Sequence, residues 1–202
     1  MIVASRRRTE TMEETRAKLI LAARRAFVAK GFAAASMDEL TADVGLTRGA
    51  LYHNFGDKTG LLAAVVAEVD GEMALRAQEA GAAAPNEWEG LLAEGAAYIE
   101  MALDPEVRRI VLLDGPAFLG DPSRWPSQNV CLELTKQAVA KLIADGIMKS
   151  VDVEAAARLM SGAALNAALW VAASDDPSSV LPKAVEAFRL MATGLLAEQI
   201  PR

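Results

Sequence analysis

The sequence is poor in the residues that enzymes most often use for catalysis or metal binding. Its 202 residues include one cysteine, Cys131, and one histidine, His53. A single cysteine excludes an internal disulfide and fits a reducing cytoplasm, and we expect Cys131 to be a small buried hydrophobe rather than a redox sensor. One cysteine and one histidine cannot form a Cys/His zinc cluster. The sequence therefore predicts no metal, no cofactor and no enzyme activity, although catalysis by carboxylates alone stays open.

Aromatic residues are also scarce, at 5%, whereas hydrophobic residues as a whole make up 52% of the chain. Alanine, leucine and valine must therefore form the core, and alanine and leucine favour helices. No strand-like alternation or internal repeat is present. A chain of this length can bury a substantial core. We predict an all-α fold of about nine helices.

The chain shows neither an apolar N-terminal signal nor a long apolar run. The longest uncharged run, 159–174, has 16 residues and includes Ser161 and Asn166. It is too short and too polar for a typical membrane span. We therefore expect a soluble, cytoplasmic protein with no membrane partner.

Charge is distributed unevenly along the chain, whose net charge is −6. Residues 1–60 contain 10 Lys and Arg against 7 Asp and Glu, while residues 61–202 contain 11 against 20. A basic end on an acidic body concentrates the attraction for phosphates at that end. Arg6, Arg7 and Arg8 could form an arm that enters a minor groove, or a solvated tail.

Residues 36–58 have the pattern of two short helices joined by a tight turn. Ser36 and Glu39 fit a capping box at the start of the first helix. Gly45 can end that helix in a left-handed conformation, and Thr47 can cap the second helix. The pattern predicts a helix-turn-helix whose recognition helix lies near 47–54.

The second helix has one inward and one outward face. Leu51 and Phe55 are spaced to face inward, which leaves polar residues outside. Arg48 is suited to guanine in a major groove, and the other polar side chains are suited to phosphates or to close approach. The predicted DNA-binding residues are Ser36, Thr47, Arg48, Gly49, Tyr52, His53 and Lys58. The competing interpretation is a chance pattern with ordinary packing of Tyr52 and His53.

The flanking sequences add a family resemblance. With Leu19 to Phe32 before the motif and Gly60 to Val66 after it, the segment 15–66 resembles the DNA-binding domain of TetR-family transcriptional regulators. Thr41 and Val44 stand where the family commonly has alanine, and Asn54 where it often has histidine. The resemblance implies a homodimer, a near-palindromic operator in double-stranded DNA, and a small-molecule effector. Repression rather than activation is the family habit.

The resemblance and the helix signals together predict two domains. Residues 1–56 are expected to form the arm and DNA-binding domain, and residues 57–202 the ligand-binding and dimerisation domain, with helix 57–81 linking them. A capping box at Thr11 predicts the start of the first helix. An irregular stretch is expected between Gly115-Pro116 and Trp125-Pro126, and the last helix is expected to end near Gln199.

The last two helices carry the prediction of a homodimer. Between Ala155 and Ala173 apolar residues cover nearly every face, and such a helix must be buried on all sides. The final helix adds Phe188 and Met191 to an apolar stripe. Two such helices from each of two subunits would form a four-helix bundle. The alternative is a central helix within one monomer.

Six residues are candidates for an effector pocket because they are aromatic or neighbour the aromatics. An apolar or amphipathic ligand would suit such a lining. Ordinary core packing explains each residue individually, so both interpretations stay open. The candidates are Tyr98, Met101, Phe118, Trp125, Asn166 and Trp170. The alternative for the whole protein is a helical module that binds a small molecule or a protein without specific DNA binding.

Overall fold

The computed structural model of the protein describes residues 2–197, with side chains from residue 12 onward. Three helices form an N-terminal unit that we call the head: α1 (Ile2–Lys30), α2 (Met37–Asp43) and α3 (Arg48–Phe55). α1 begins nine residues before the capping box predicted at Thr11, which lies inside the helix. No proline or glycine precedes Thr11 to end the helix. The side chains of Arg6, Arg7 and Arg8 lie outside the described residues.

The helix-turn-helix forms through the caps that the sequence predicts. The Ser36 hydroxyl accepts a hydrogen bond from the Glu39 amide at 3.4 Å, and the Thr47 hydroxyl accepts one from the Ala50 amide at 3.2 Å. Between the helices, Gly45 has a φ of 67°, a left-handed conformation that favours glycine. These contacts within residues 36–50 fix the turn between α2 and α3.

A long helix, α4 (Lys58–Ala82), leads from the head into the rest of the chain, which we call the body. Asp57 caps α4, and the helix contacts α1 and α3 of the head as well as α5 (Glu87–Glu100) of the body. A short 3-10 turn at Met101–Leu103 follows α5. α4 is thus the covalent and packing link between the two parts.

The segment expected to be irregular from Gly115-Pro116 begins instead as continuous helix. A π-helix, Val107–Asp114, passes directly into α6 (Gly115–Leu119). The Gly115 amide donates to the carbonyl of Ile110, five residues earlier, and Pro116 has no amide to donate. The wider turn therefore accommodates the proline without ending the helix. A Cβ at Gly115 would lie 2.6 Å from the Trp125 ring, so glycine permits this close packing.

Three long helices complete the body: α7 (Pro126–Ala144), α8 (Val153–Ala173) and α9 (Pro177–Thr193). α9 ends before the predicted Gln199 because the following residues pair with the α7–α8 connection. The Lys149 amide donates to the Leu195 carbonyl at 2.8 Å, and the Ala197 amide donates to the Ile147 carbonyl at 2.9 Å. This pairing replaces the helical hydrogen bonds that the sequence pattern predicted.

Across residues 2–197 the structure has nine α-helices and no strand beyond one isolated bridge, which confirms the all-α prediction. α8 has the length and apolar composition that would allow it to cross a membrane. However, it packs against α5, α7 and α9 of the body. The core helix of a folded domain meets the same two criteria, so this feature is weak evidence for a span.

Candidate nucleic-acid interface and body cavity

The recognition helix α3 is held by its inward face. Leu51 is fully buried, and Phe55 packs partly against the core. The opposite face leaves Tyr52 43% exposed, with Arg48 and His53 also exposed. The fold therefore presents the polar face of α3 to solvent.

Arg48 is the most prominent charge on this face. Its guanidinium donates to the Tyr52 hydroxyl at 3.1 Å and to the Asp38 carboxylate at 3.4 Å. The guanidinium carbon also lies 5.5 Å from the centre of the Tyr52 ring. These contacts hold the side chain over one turn of α3, with its donors near the surface.

Gly49 lies beside Arg48 without a structural need for glycine. Its φ is not positive, and a Cβ would meet only the Thr47 hydroxyl, at an ordinary 3.7 Å. An alanine would fit the folded chain as well. The absence of a side chain at this exposed position leaves room for another molecule to approach the backbone.

Two other predicted DNA-binding residues have internal contacts. The Ser36 hydroxyl caps α2, as described above. The Lys58 ammonium donates to the Ala33 carbonyl at 3.2 Å and lies 4.7 Å from the centre of the Phe32 ring. Both residues therefore help to hold the head together, whatever else they contact.

Arg16 is an exposed cation beside α3 that sequence reasoning missed. Its guanidinium lies 4.6 Å from the centre of the Phe55 ring and donates to the Asn54 carbonyl at 3.4 Å. Arg16 belongs to α1, 38 residues before Asn54. Nothing in the local sequence indicated that it would reach the C-terminal end of the recognition helix.

Head and body are joined by a cluster of charges around Arg24 of α1. Its guanidinium forms two hydrogen bonds with Glu106, at 2.8 and 2.7 Å, and two with Glu72 of α4, at 2.6 and 2.8 Å. A further bond reaches Glu68 at 3.0 Å. Because these carboxylates stabilise the charged guanidinium, they raise the pKa of Arg24, with Glu106 contributing most.

A second junction lies at the end of the π-helix. The Phe32 amide donates to the buried Asp114 carboxylate at 2.8 Å, and Arg109 donates to the same oxygen at 3.2 Å. Phe32 also packs against Phe118 of α6, with ring centres 4.5 Å apart. The end of α1 is therefore fixed to the body by both polar and aromatic contacts.

The body contains a cavity of about 100 Å³ between five helices. Its walls are mainly apolar, and the polar atoms belong to a few separate side chains. A Cβ at Gly95 would lie 2.4 Å from the Phe188 ring, so this glycine lets α5 and α9 approach each other closely. The lining includes Ala77, Leu91, Glu94, Tyr98, Gln128, Cys131, Leu134, Met160, Ser161 and Phe188.

Of the six predicted pocket residues, Tyr98 lines this cavity and the other five lie elsewhere. Met101 and Trp125 are core residues, and the Trp125 indole N–H has no hydrogen-bond partner in the described part of the chain. Phe118 packs at the junction with the head. Asn166 and Trp170 lie on an exposed face of α8. The six candidates therefore lie in four different regions: the cavity, the core, the junction with the head and the exposed face of α8.

One polar end of the cavity connects to α4. The Gln128 amide donates to the Tyr98 hydroxyl at 3.4 Å and to both oxygens of Asp70, at 3.0 and 3.1 Å. Burial raises the pKa of Asp70, while hydrogen bonds from Ser127 and Gln128 partly oppose the shift. Burial also raises the pKa of Tyr98, which stays protonated. Gln128 thus joins the cavity wall to a buried carboxylate on the helix that leads to the head.

Cys131 is half-buried in the cavity wall. Burial, together with the nearby Asp70 charge, raises the pKa of its thiol to about 11. The thiol is therefore protonated at neutral pH and is a poor nucleophile.

Large apolar side chains are exposed on both α8 and α9. Leu159 and Trp170 of α8 are 73% and 53% exposed, and Leu190 and Met191 of α9 are 71% and 56% exposed. Large exposed apolar patches mark sites of interaction with other molecules. We call these four residues the α8/α9 face.

A capped helix-turn-helix with an exposed polar recognition helix, fixed to a helical body with a cavity, defines a DNA-binding transcriptional regulator. The profile described as "Bacterial regulatory proteins, tetR family" matches residues 19–65, and "Tetracyclin repressor-like, C-terminal domain" matches residues 88–195. The chain belongs to the TetR family of transcriptional regulators. This confirms the predicted resemblance and the prediction that the chain is a regulator rather than an enzyme.

Individual relatives agree with this family. A TetR-family regulator from Pectobacterium atrosepticum has a solved structure with 46% identity, a TM-score of 0.86, and coverage of 96% of this chain and 98% of that chain. The regulator SrpR of Pseudomonas putida is 41% identical over 63 residues, 31% of this chain and 30% of its own length. The TetC protein of transposon Tn10 from Escherichia coli is 26% identical over 76% of this chain and 78% of its own. Similarity to SrpR is thus confined to about a third of each protein.

Proposed function

We propose that the chain acts in the cytoplasm as a homodimeric repressor, and that a small molecule releases it from a near-palindromic operator. The observation that carries this proposal is the exposed polar face of α3, which the caps and Leu51 turn away from the core. The description "Tetracyclin repressor-like" for the body supports repression.

On the DNA side, α3 would enter the major groove with Arg48 as the reader of a base. Arginine forms a bidentate pair with guanine, and this pair would replace the contact between Arg48 and Asp38. Tyr52 and His53 would contact phosphates, while Thr47 and Gly49 allow the backbone to come close. Arg16 is a further candidate for a phosphate contact. Ser36 and Lys58 would support the surface chiefly by holding α2 and the start of α4.

The α8/α9 face would be the dimer interface. Its four large apolar side chains are exposed in the single chain, and a second copy would remove them from water. A two-fold dimer would place two α3 helices about 34–36 Å apart, the spacing of successive major grooves. Operator binding would then depend on both copies.

The effector would act through α4. A ligand in the cavity would contact Ala77 of α4 and Gln128, whose amide donates to Asp70. A shift of α4 would reach α1 through the Arg24 cluster. Ligand and DNA would then weaken each other's binding by a coupling of about 1–3 kcal/mol.

The test is selection of DNA by the intact protein from fragments of its own genome and from random duplexes. We expect enrichment of a near-palindrome whose half-site centres are about 10 base pairs apart. A scrambled duplex of the same composition is the control. Enrichment of no sequence, or of an isolated half-site bound by a monomer, would contradict the proposal.

A further inference from the structure

The formal charge of the cavity lining comes from one side chain. Among the residues that line it, Glu94 of α5 is an acid, and none is lysine, arginine or histidine. The rest of the lining is apolar or carries neutral polar groups such as the Tyr98 hydroxyl and the Gln128 amide. The other ionisable groups of the lining are the protonated Tyr98, one turn further along α5, and the protonated Cys131 of α7. A ligand therefore meets one carboxylate and no cation from the protein.

Within the described part of the chain, no basic side chain compensates the charge of Glu94. Its carboxylate has no hydrogen bond or ion pair among the described residues, whereas its neighbours on α5 are paired: Glu87 with Lys141, and Glu89 with Arg189 at 3.5 Å. Burial is the cause that raises the pKa of Glu94. A partly desolvated carboxylate gains most when a ligand brings an opposite charge.

The basic residue near the cavity is already engaged. Lys141 lines an adjoining groove together with Glu94, but its ammonium pairs with Glu87 and with Asp145, the latter at 3.1 Å. It does not form an ion pair with Glu94. A ligand carboxylate in the cavity would therefore face repulsion from Glu94 without a cation to offset it.

Behind the lining, the carboxylate of Asp70 adds to the negative electrostatic potential that Glu94 produces in the cavity. This carboxylate is 1% exposed and is held by the Gln128 amide, which also contacts Tyr98 in the cavity wall. No basic side chain is bonded to it in the described structure. Both carboxylates thus favour a positive charge in the cavity, while Leu91, Met160 and Phe188 favour an apolar group.

We propose that the effector of this regulator is an amphipathic molecule with a protonated amine, and that Glu94 is the counter-ion of that amine. The inference rests on the proposed function only in assigning the cavity to the effector. It specifies the chemical class of the ligand: a cationic head on an aliphatic or aromatic body.

The experiment compares matched probes on the intact protein by calorimetry and thermal shift. Octylamine, 1-octanol and octanoate form one set, and 2-phenylethylamine, 2-phenylethanol and 3-phenylpropionate form a second. We expect the amine of at least one set to bind about tenfold more tightly than its alcohol, equivalent to about 1.4 kcal/mol. The carboxylates should bind most weakly. Equal binding of amine and alcohol, preference for the carboxylate, or no amine binding in either set would overturn the inference.

A substitution of Glu94 tests whether this residue pairs with the amine. Glu94→Gln should abolish the preference for the amine and leave alcohol binding unchanged, while Glu100→Gln, an exposed acid on the same helix, should retain the preference. Retention of the preference in a folded Glu94→Gln protein would overturn the role of Glu94. Operator binding is measured separately without probe. Operator binding without amine preference contradicts this inference alone, and amine preference without any operator contradicts the proposed function alone.

Discussion

The two exposed surfaces of this chain have opposite chemistry. The face of α3 exposes Arg48, Tyr52 and His53, whereas the α8/α9 face exposes leucine, methionine and tryptophan. Polar side chains remain well solvated until a charged, hydrated partner displaces the water. Apolar side chains at this exposure favour a partner that covers them permanently. This difference fits the two proposed partners, DNA at the head and a second copy of the chain at the body.

The largest expected effect comes from placing a charge on the α8/α9 face. Leu159→Glu should convert dimers to monomers, because the dimer would have to bury an unpaired carboxylate. Loss of the second half-site should lower operator affinity by about 100-fold or more. Analytical ultracentrifugation and DNA titration measure the two effects. The control is Leu75→Glu on α4, where the parent leucine is 62% exposed but lies outside this face. If the parent protein were already a monomer, the α8/α9 face would not be a dimer interface and the prediction would be wrong.

The next largest effect is expected from a substitution on the polar face of α3. Arg48→Ala should weaken operator binding by about 1–3 kcal/mol and relax the base preference at one position in each half-site. The dimer should remain intact. Arg124→Ala, which removes an exposed arginine from the body, is the matched control. If Arg48→Ala bound the same sequences with the same affinity, the base-reading role would be wrong.

A smaller effect is expected at the junction between head and body. Arg24→Gln leaves Glu68, Glu72 and Glu106 without their shared cation, and should lower the free energy of unfolding by about 1–2 kcal/mol. The comparison variant is Arg76→Gln, because Arg76 is 53% exposed and pairs with one acid at 3.3 Å. Its loss should cost less than about 0.5 kcal/mol. Urea unfolding measures both, and equal costs would show that the cluster adds nothing beyond a surface pair.

The smallest effect is the pH dependence contributed by Asp70. Because its pKa is raised by burial, the folded state binds its proton more tightly than the unfolded state does. The contribution of Asp70 to the free energy of unfolding is therefore fully present below pH 3.8. It is lost as the pH rises from 3.8 through the raised pKa of the folded state. Asp70→Asn should lack that decline, and Asp175→Asn, an exposed acid, should keep it. Parallel stability curves for Asp70→Asn and the parent protein would contradict this assignment.

The head was more predictable than the body because its determinants are local. Ser36, Gly45 and Thr47 act within three or four residues of their partners, so spacing alone predicts the turn and its caps. Two predicted helix ends were wrong: the start of α1 at Thr11 and the end of α9 at Gln199. Residues 2–10 contain nothing that ends a helix, and Leu195 pairs with a connection that is distant in the sequence.

The cavity and the junctions could not be predicted in the same way. Glu94 and Gln128 are more than 30 residues apart in the sequence, and their shared cavity depends on how α5 and α7 pack. Arg24 meets Glu106 across 82 residues. Aromatic content was a poor guide, because Trp170 is on the outer face and Trp125 is in the core. Only Tyr98 among the six candidates lines the cavity.

Local sequence patterns were enough to predict that this chain is helical, that its N-terminal segment contains a helix-turn-helix, and which side of α3 is polar. These properties follow from periodicity and capping, which act over one or two helical turns. Local patterns could not predict that Glu94 faces the cavity, that Arg24 bridges head and body, or which apolar residues stay exposed. Those outcomes depend on helix packing, because contacts between helices place side chains from distant parts of the chain in the same space.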